Sequence, residues 1–550
     1  MVQDIVRERV MHNLLERQAE KYGRRTYMYY EDKEFSFEEV NKKANQVASG
    51  LQKLGVTKGD KVAVVMENCP EVIFLMFGLS KVGAVVVPIN IYHKGDIMAY
   101  MVEHSDSSIL VMHSQFIDRL GMVLKKASKI QTVVILEEDS DEQTMNSSAS
   151  SLVIVAEQIG AFGKQVMQWP EFIDNNGQYL YTDVIFSDPI MILYTSGTTG
   201  LSKGVLLPQN LVYTQAEHFY TWTLEFDLDE EDCIYNPSPL CHAQAWHAGV
   251  NLALLRGARM VLKKKFSASS HWDDVKRYGC THSTAFGAAN SILLLAEPKP
   301  DDADNPLKVV LGGPASEKLC REYEARFGAK ILEFYGSTEL GAAIRNKISD
   351  YKTGTCGKRH PDYAIKIVNE DGIEVGVNTP GEILARPLKQ SMMMLEYYKM
   401  PEKTAEAWKD LWFHTGDCGY FDDDGFFHFS DRKKDSLRRR GENISSFEVE
   451  KVVNSHPAVR ESAVIGVRSD FGDDDVMLCL ALKPGETLPP EELISFCEDR
   501  MAYFMVPRYV RYMENLPKNA VLRVEKYKLR EEGVTPDTWD LEKSGYKLKR

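Results

Sequence analysis

Residues 61–90, KVAVVMENCPEVIFLMFGLSKVGAVVVPIN, form the most apolar region of the chain and constrain its fold more than any other stretch. The β-branched run at 62–65, the Asn-Cys-Pro turn, the apolar segment at 71–82, Gly83 and the second run AVVVPI predict strand, helix, strand. Each strand is short and apolar on both faces, as a buried parallel sheet requires. The same alternation continues through SSILVMHS at 107–114 and QTVVILEE at 131–138, so the first few hundred residues are expected to be α/β. Residues 137–151, EEDSDEQTMNSSASS, are acidic and serine-rich with nothing to bury, and are expected to be a surface loop.

With 550 residues, 44% of them hydrophobic and 27% charged, the chain can bury a large core and is expected to divide into at least two domains. Its formal net charge of -14 repels nucleic acid and anionic membranes at long range. The nine cysteines are scattered and include no CxxC pair, so neither a disulfide framework nor a zinc site is suggested, and a reducing cytoplasm fits best. The N-terminus reads as an amphipathic helix with Val6, Val10, Leu14 and Leu15 on one face, unlike a secretory leader, and no apolar run reaches the length of a membrane span.

The sharpest local signal is PIMILYTSGTTGLSKGV, residues 189–205. An apolar strand to Tyr194 runs into Thr195, Ser196, Thr198 and Thr199, with Gly197, Gly200 and Gly204 around Lys203. Glycines let backbone N–H groups turn toward an anion, hydroxyls donate further hydrogen bonds, and the lysine adds a positive charge. This is a phosphate cradle in chemical terms, although the GxxxxGK[ST] pattern is absent; a flexible Gly/Ser loop is the bland alternative. A second unusual stretch is LPKNAVLRVEKYKLR at 516–530, a basic cluster that reads as a nucleic-acid patch, a solvated face or a loop carrying one cation into an active site.

Further motifs follow in order: LGGPAS at 311–316, YGSTE at 335–339, WFHTGD at 412–417 and DRKKDSLRRRGENISSFEVE at 431–450. Together with the 189–205 loop they resemble the AMP-forming acyl-CoA synthetase superfamily, the adenylate-forming enzymes, over about residues 10–530, and look closest to the crotonobetaine/carnitine-CoA ligase-like branch. The resemblance implies a large α/β N-terminal domain of several sheets with packed helices (1–431), a hinge (432–435) and a small mobile α+β C-terminal domain (436–550). It implies ATP, Mg²⁺ and coenzyme A as cofactors, and a carboxylic acid activated as acyl-AMP and passed to CoA. A stand-alone adenylation enzyme serving a carrier protein and a degenerate nucleotide-binding relative are the alternatives. Partners are the small-molecule acid and CoA, without nucleic acid; a homodimer is left open.

By the same resemblance the loop from Thr195 through Ser196, Gly197, Thr198, Thr199 and Gly200 to Lys203 holds the β- and γ-phosphates, and Thr338, beside Ser337, serves the α-phosphate. Glu339 is a Mg²⁺ ligand, Asp417 accepts from the ribose hydroxyls, Arg432 contacts ribose or phosphate, and Tyr335 stacks on adenine in a slot lined by Gly312, Gly313 and Pro314. The hinge matches Lys434, and Gly441 matches a side-chain-free wall of the pantetheine channel. Arg438, with Arg439 and Arg440, is either a set of CoA-phosphate contacts or a solvated basic turn. The acyl pocket is expected around His242, Gly287, Ala288, Gly336 and Gly341; His242 is either a gate or a packed core histidine. Gly336 stands where acetate-specific members carry a closing tryptophan, so an acid larger than acetate (medium-chain, alicyclic or aromatic) is expected. These stretches show no obvious fixed cation that would argue for a dicarboxylate or a zwitterionic amino acid. In the 516–530 segment the family's Thr-Gly-Lys core is Val521, Leu522 and Arg523, which makes Arg523 the adenylation cation, with Lys518 or Lys526 as substitutes.

Overall fold

The computed structural model describes residues 6–137, 162–195, 201–285, 287–313, 315–432, 436–469, 472–518 and 524–548. The apolar 61–90 region folds as read: strand Lys61–Val65, helix Pro70–Val82 and strand Val85–Pro88, with the two strands paired in parallel. Pro70 opens the helix, where its missing N–H costs nothing, and Gly83 closes it in the left-handed conformation at φ 70. Every residue of this helix but Glu71 is buried, so it runs through the core instead of over it.

Strands Ile109–His113, Thr132–Leu136 and Gln165–Gln168 extend the parallel sheet on one side. On the other, Pro189–Thr195 joins in parallel and then turns back as an antiparallel hairpin with Lys203–Pro208, edged by Glu396–Tyr397, for eight strands in all. Alternate residues of this sheet feed different cores. Val62, Val64, Val86, Val111 and Val134 enter one apolar cluster; Ala63, Val65, Val85, Val87, Leu110 and Met112 enter another. The two-faced apolar pattern thus has its physical cause.

A second, seven-stranded sheet is built on Cys233–Asn236, Arg259–Leu262, His282–Thr284, Val309–Leu311 and Lys330–Leu332, all parallel, with Thr26–Tyr30 and Lys33–Ser36 at the far edge. It contributes Met28, Met260, Val309 and Leu311 to the first core. Smaller antiparallel sheets follow: Phe334–Ser337 with Gly341–Arg345 and Lys358–Arg359, and a five-stranded sheet around Gly381–Pro387 and Trp412–Phe421. The C-terminal region holds the hairpin Ser436–Arg439/Glu442–Ser445, helix Ser446–Asn454 and a four-stranded sheet led by Val459–Arg468 and Asp474–Leu482. Its helix-turn-strand order matches the expected α+β unit.

The N-terminal amphipathic helix breaks at 9–10 and continues as Met11–Tyr22, with Val10, Leu14 and Leu15 buried and Val6 only half-buried. Residues 138–151 of the acidic stretch lie outside the described residues. All nine cysteines are free thiols, and among the described residues no helix is long and apolar enough to cross a membrane.

Candidate functional site

The 189–208 hairpin places Thr195 directly opposite Lys203, so the intervening residues form one loop at the sheet's edge; Ser196, Gly197, Thr198, Thr199 and Gly200 are outside the described residues. The Thr195 hydroxyl donates to the Lys203 carbonyl at 3.5 Å. The Lys203 ammonium lies over the Tyr397 ring, 3.9 Å from its centroid. The Tyr397 hydroxyl in turn donates to Glu339 Oε1 at 2.8 Å, and the Met394 N–H donates to the Glu339 carbonyl at 2.8 Å. Burial, reinforced by the Glu339 carboxylate, pushes the Tyr397 phenol far above its ordinary range, so it stays protonated and donates to that carboxylate. One tyrosine, brought in by the edge strand Glu396–Tyr397 pairing with Val205–Leu206, therefore links the loop lysine to the acid of YGSTE.

Tyr335 donates its hydroxyl to Asp417 Oδ2 at 2.9 Å, which joins the YGSTE and HTGD motifs. Asp417 stands opposite Arg432 in the Trp412–Phe421/Phe427–Arg432 pair. Both glycines of LGGPAS answer a steric need: a Cβ on Gly312 would lie 1.7 Å from the Ala285 carbonyl, and one on Gly313 would lie 2.6 Å from Glu333 Cγ. Pro314 is outside the described residues. Glu333, which the motif reading passed over although it sits two residues before Tyr335, is buried and pushed up to about 7, by burial above all. It accepts from the Ala315 N–H at 3.0 Å and the Cys356 thiol at 3.4 Å, and the Arg438 charge reaches it.

Gly336 pairs with Ala342, and a Cβ there would lie 2.2 Å from the Gly341 carbonyl. Gly341 has φ +71 and a Cβ there would strike the Gln215 amide at 2.3 Å. Gly287 opens helix Gly287–Leu295, which also contains Ala288. No side chain can therefore be added at 336 without moving the neighbouring strand.

The C-terminal region docks against this site. His242 Nε2 donates to Glu442 Oε2 at 2.8 Å. Burial on its own would lower the His242 pKa, but Cys241 and Glu442 outweigh it and hold the ring well above its usual value, hence charged. Glu442 in turn, despite burial, is held below the usual carboxylate range by His242. Nearby, the Ser202 N–H and hydroxyl both donate to Glu448 Oε1, the former at 2.9 Å, and Tyr92 packs edge-on to Tyr503 with centroids 4.8 Å apart. Glu442 is delivered by a two-residue turn in which Arg440 and Gly441 both have positive φ, 54 and 83, the geometry of a type I′ hairpin. The backbone alone thus demands Gly441.

Arg439 is buried and spent within the C-terminal region, paired to Asp475 at 3.0 Å and donating to the Val506 carbonyl at 2.8 Å, which removes it from the triplet considered for CoA. Lys526 pairs with Glu450 at 2.7 Å and Lys518 with Glu461, both also C-terminal partners. Lys434 and Arg523 lie outside the described residues. His218, His360 and Asp362 bring three ligand-type atoms within 4.8 Å of one another. The two rings stack at 3.6 Å and 22°, however, so their planes do not converge on one ion at coordination distance. Asp362 is instead committed to His218 at 2.9 Å and Lys389 at 2.8 Å.

Residues 15–398 match the model of the AMP-binding enzyme family, and 448–521 match the AMP-binding enzyme C-terminal domain. The chain is an AMP-binding enzyme. It is similar in sequence to a crotonobetaine/carnitine–CoA ligase from Salmonella typhimurium, 30% identical over 539 residues, covering 96% of this chain and 100% of that one. Its fold is similar to that of an amide bond synthetase from Marinactinospora thermotolerans (21% identity, TM-score 0.78, 94% of this chain and 99% of that one). It is also similar to that of a benzoate CoA ligase from Burkholderia xenovorans (22% identity, TM-score 0.68, 94% and 99%).

Proposed function

We propose that this AMP-binding enzyme is an ATP-dependent, AMP-forming acid:CoA ligase acting on a carboxylic acid larger than acetate. The observation that carries the reading is the chain of contacts Lys203–Tyr397–Glu339, which gathers a cation, a donor and a hard-oxygen ligand at the mouth of the 195–203 loop. A carboxylate is a poor acyl donor because its leaving group would be oxide. Attack of its oxygen on the α-phosphorus of ATP forms a C–O–P bond, breaks the P–O bond to the β-phosphate and releases pyrophosphate. Negative charge meets negative charge, so catalysis rests on alignment and neutralisation.

In this reading the Thr195–Lys203 loop holds the β- and γ-phosphates and Thr338 the α-phosphate. Asp417, steadied by Tyr335, accepts from the ribose hydroxyls, and Gly312 and Gly313 leave the flat adenine slot with Glu333 at its edge. Arg438 is near enough for its charge to act on Glu333. Mg²⁺ fits Glu339: Tyr397 occupies Oε1, and a single carboxylate oxygen plus phosphates and waters is how this ion is usually held. Bound there, it would neutralise charge on the transferring phosphates. The second step, attack of the CoA thiolate on the acyl-AMP carbonyl with loss of AMP, belongs to the arrangement with Glu442 on His242, in a chain divided at 432–435 into a body and a moving C-terminal domain.

A panel of medium-chain, alicyclic and aromatic acids with ATP and Mg²⁺, with and without CoA, tests the reading. Acid-dependent AMP release and a CoA thioester are expected. Adenylate without thioester points to a carrier-protein or amine acceptor, and ATP binding without turnover to a degenerate relative. Tyr397→Phe keeps the ring under Lys203 and removes only the donor to Glu339; it is expected to raise the Mg²⁺ concentration for half-maximal adenylation by about tenfold. Titrating Mn²⁺·ATP binding by paramagnetic resonance checks this without turnover.

A further inference from the structure

Helix Ser446–Asn454 opens on Ser445, whose hydroxyl accepts the Glu448 N–H. A glutamate at that third helical position ordinarily folds back on its own N-terminus to complete a capping box. Glu448 reaches away instead. Its Oε1 accepts two hydrogen bonds from Ser202, 246 residues away in sequence: one from the backbone N–H at 2.9 Å and one from the hydroxyl. Both residues are only 2% exposed. Burial raises the Glu448 carboxyl above its usual value, and the two Ser202 bonds pull against that rise, as does the Lys451 charge.

This contact joins the C-terminal region to the 195–203 loop. Ser202 immediately precedes Lys203, and the sequence reading names other hydroxyls of the loop for the phosphates. It is held from the opposite side as well: the Tyr100 hydroxyl, on helix Gly95–His104, donates to the Ser202 carbonyl at 3.1 Å. His104 of the same helix meets the Tyr194 hydroxyl at 2.9 Å, on the strand that leads into the loop. Ser202 is therefore anchored independently of Glu448, with two donors aimed at one point where a carboxylate oxygen now sits. A buried N–H and hydroxyl need an acceptor. When the C-terminal region turns away, Glu448 leaves with its helix and a different acceptor must take over. A phosphate oxygen suits a main-chain N–H beside a hydroxyl and a lysine.

We propose that Glu448 is a positioning residue that occupies, from the C-terminal region, part of the seat a polyphosphate takes on Ser202, so that docking of that region for transfer to CoA and retention of pyrophosphate exclude one another. This rests on the acid:CoA ligase reading above. The carboxylate belongs to the chain, so its effective concentration at the seat is high, and pyrophosphate that lingers or rebinds must displace it. No bond to Glu448 is made or broken in the reaction.

Titration calorimetry with Mg²⁺·methylenediphosphonate, the probe for pyrophosphate, on the full chain saturated with AMP tests this without an acid. Glu448→Gln is expected to tighten diphosphonate binding by about tenfold, because apparent affinity is reduced by the fraction of molecules whose seat is free. Ser202→Ala, added to Glu448→Gln, is expected to weaken binding again by about tenfold through loss of the hydroxyl donor. A contact that serves only stability gives neither shift. Glu448→Asp, one methylene shorter, keeps the charge but loses the reach; it is expected to behave as Glu448→Gln and decides the matter if the glutamine variant does not fold. Diphosphonate binding that is absent in all forms, or unchanged or weaker in the Glu448 variant, overturns the inference, as does a second substitution at Ser202 without effect. With an active acid, diphosphonate is expected to slow thioester formation from preformed acyl-AMP and CoA, at about tenfold lower concentration in Glu448→Gln than in the wild type; equal inhibition refutes the proposal. If no acid releases AMP, the ligase reading fails, while the titration still decides whether Glu448 and a polyphosphate share Ser202.

Discussion

Arg523→Ala is expected to lower acyl-adenylate formation by on the order of 10²- to 10³-fold, while CoA-dependent consumption of preformed acyl-AMP stays within about threefold of wild type. Adenylation brings a carboxylate against a polyphosphate, and a positioned cation at the reacting oxygens offsets the repulsion that both reactants share. By resemblance this duty falls on a lysine two residues beyond the position held here by Val521; Arg523 stands in its place. The two basic residues offered as substitutes are engaged elsewhere, Lys518 with Glu461 and Lys526 with Glu450 and Ser446, which favours Arg523 as the working cation. Arg523→Lys is expected to recover most of the rate, because charge matters more than the planar fork at a single oxygen pair. Stopped-flow measurement of pyrophosphate release separates this step from transfer. Equal loss in both half-reactions for Arg523→Ala would remove the assignment.

Glu442→Gln is expected to act on the opposite half. Thioester formation falls about 100-fold and adenylation is unchanged, because truncating one partner of a buried charge pair costs roughly 2–5 kcal/mol in the state that contains it. His242 and Glu442 meet in the arrangement the structure shows, and under the proposed domain motion the penalty is expected in that arrangement alone. The sign of the pH dependence follows. His242 is raised by its neighbours and Glu442 lowered by His242, so the pair holds fully between the two shifted values. It weakens as pH rises through the elevated His242 value, where the imidazolium is lost, and as pH falls through the depressed Glu442 value. Transfer to CoA in the wild type should show both limbs, and Glu442→Gln should lose the acidic one. A mutant that slows adenylation as strongly as transfer would make the pair a general structural contact.

What could be read from residues alone was governed by local period. The strand-helix-strand of 61–90 and the strand running to Tyr194 follow from apolar runs and punctuating Pro and Gly, and the structure reproduces them within a residue or two; the returning strand Lys203–Pro208, which makes a hairpin of the loop, was not read. Tyr397 was invisible because its role depends on an edge strand nearly two hundred residues downstream pairing with Val205–Leu206. Glu333 was missed because its environment, not its motif, makes it unusual: Gly313 and Cys356 enclose a carboxyl that in water would be unremarkable. Arg345 and Arg439 show the same point in opposite senses. Both are buried arginines, and only tertiary contacts reveal that Arg439 pairs with Asp475 while Arg345 has no acid at ion-pair distance among the described residues.

The turn at Arg440 and Gly441 also bears on the hinge proposed at 432–435. With both residues held at positive φ and four cross-strand pairs behind them from Ser436↔Ser445 to Arg439↔Glu442, the hairpin is a stiff finger with a fixed reach. Under the hinge proposed at 432–435, the hairpin would travel with the C-terminal body as one piece and carry Glu442 with it. In that proposal the reach of Glu442 is set by where the body sits and not by refolding of the turn.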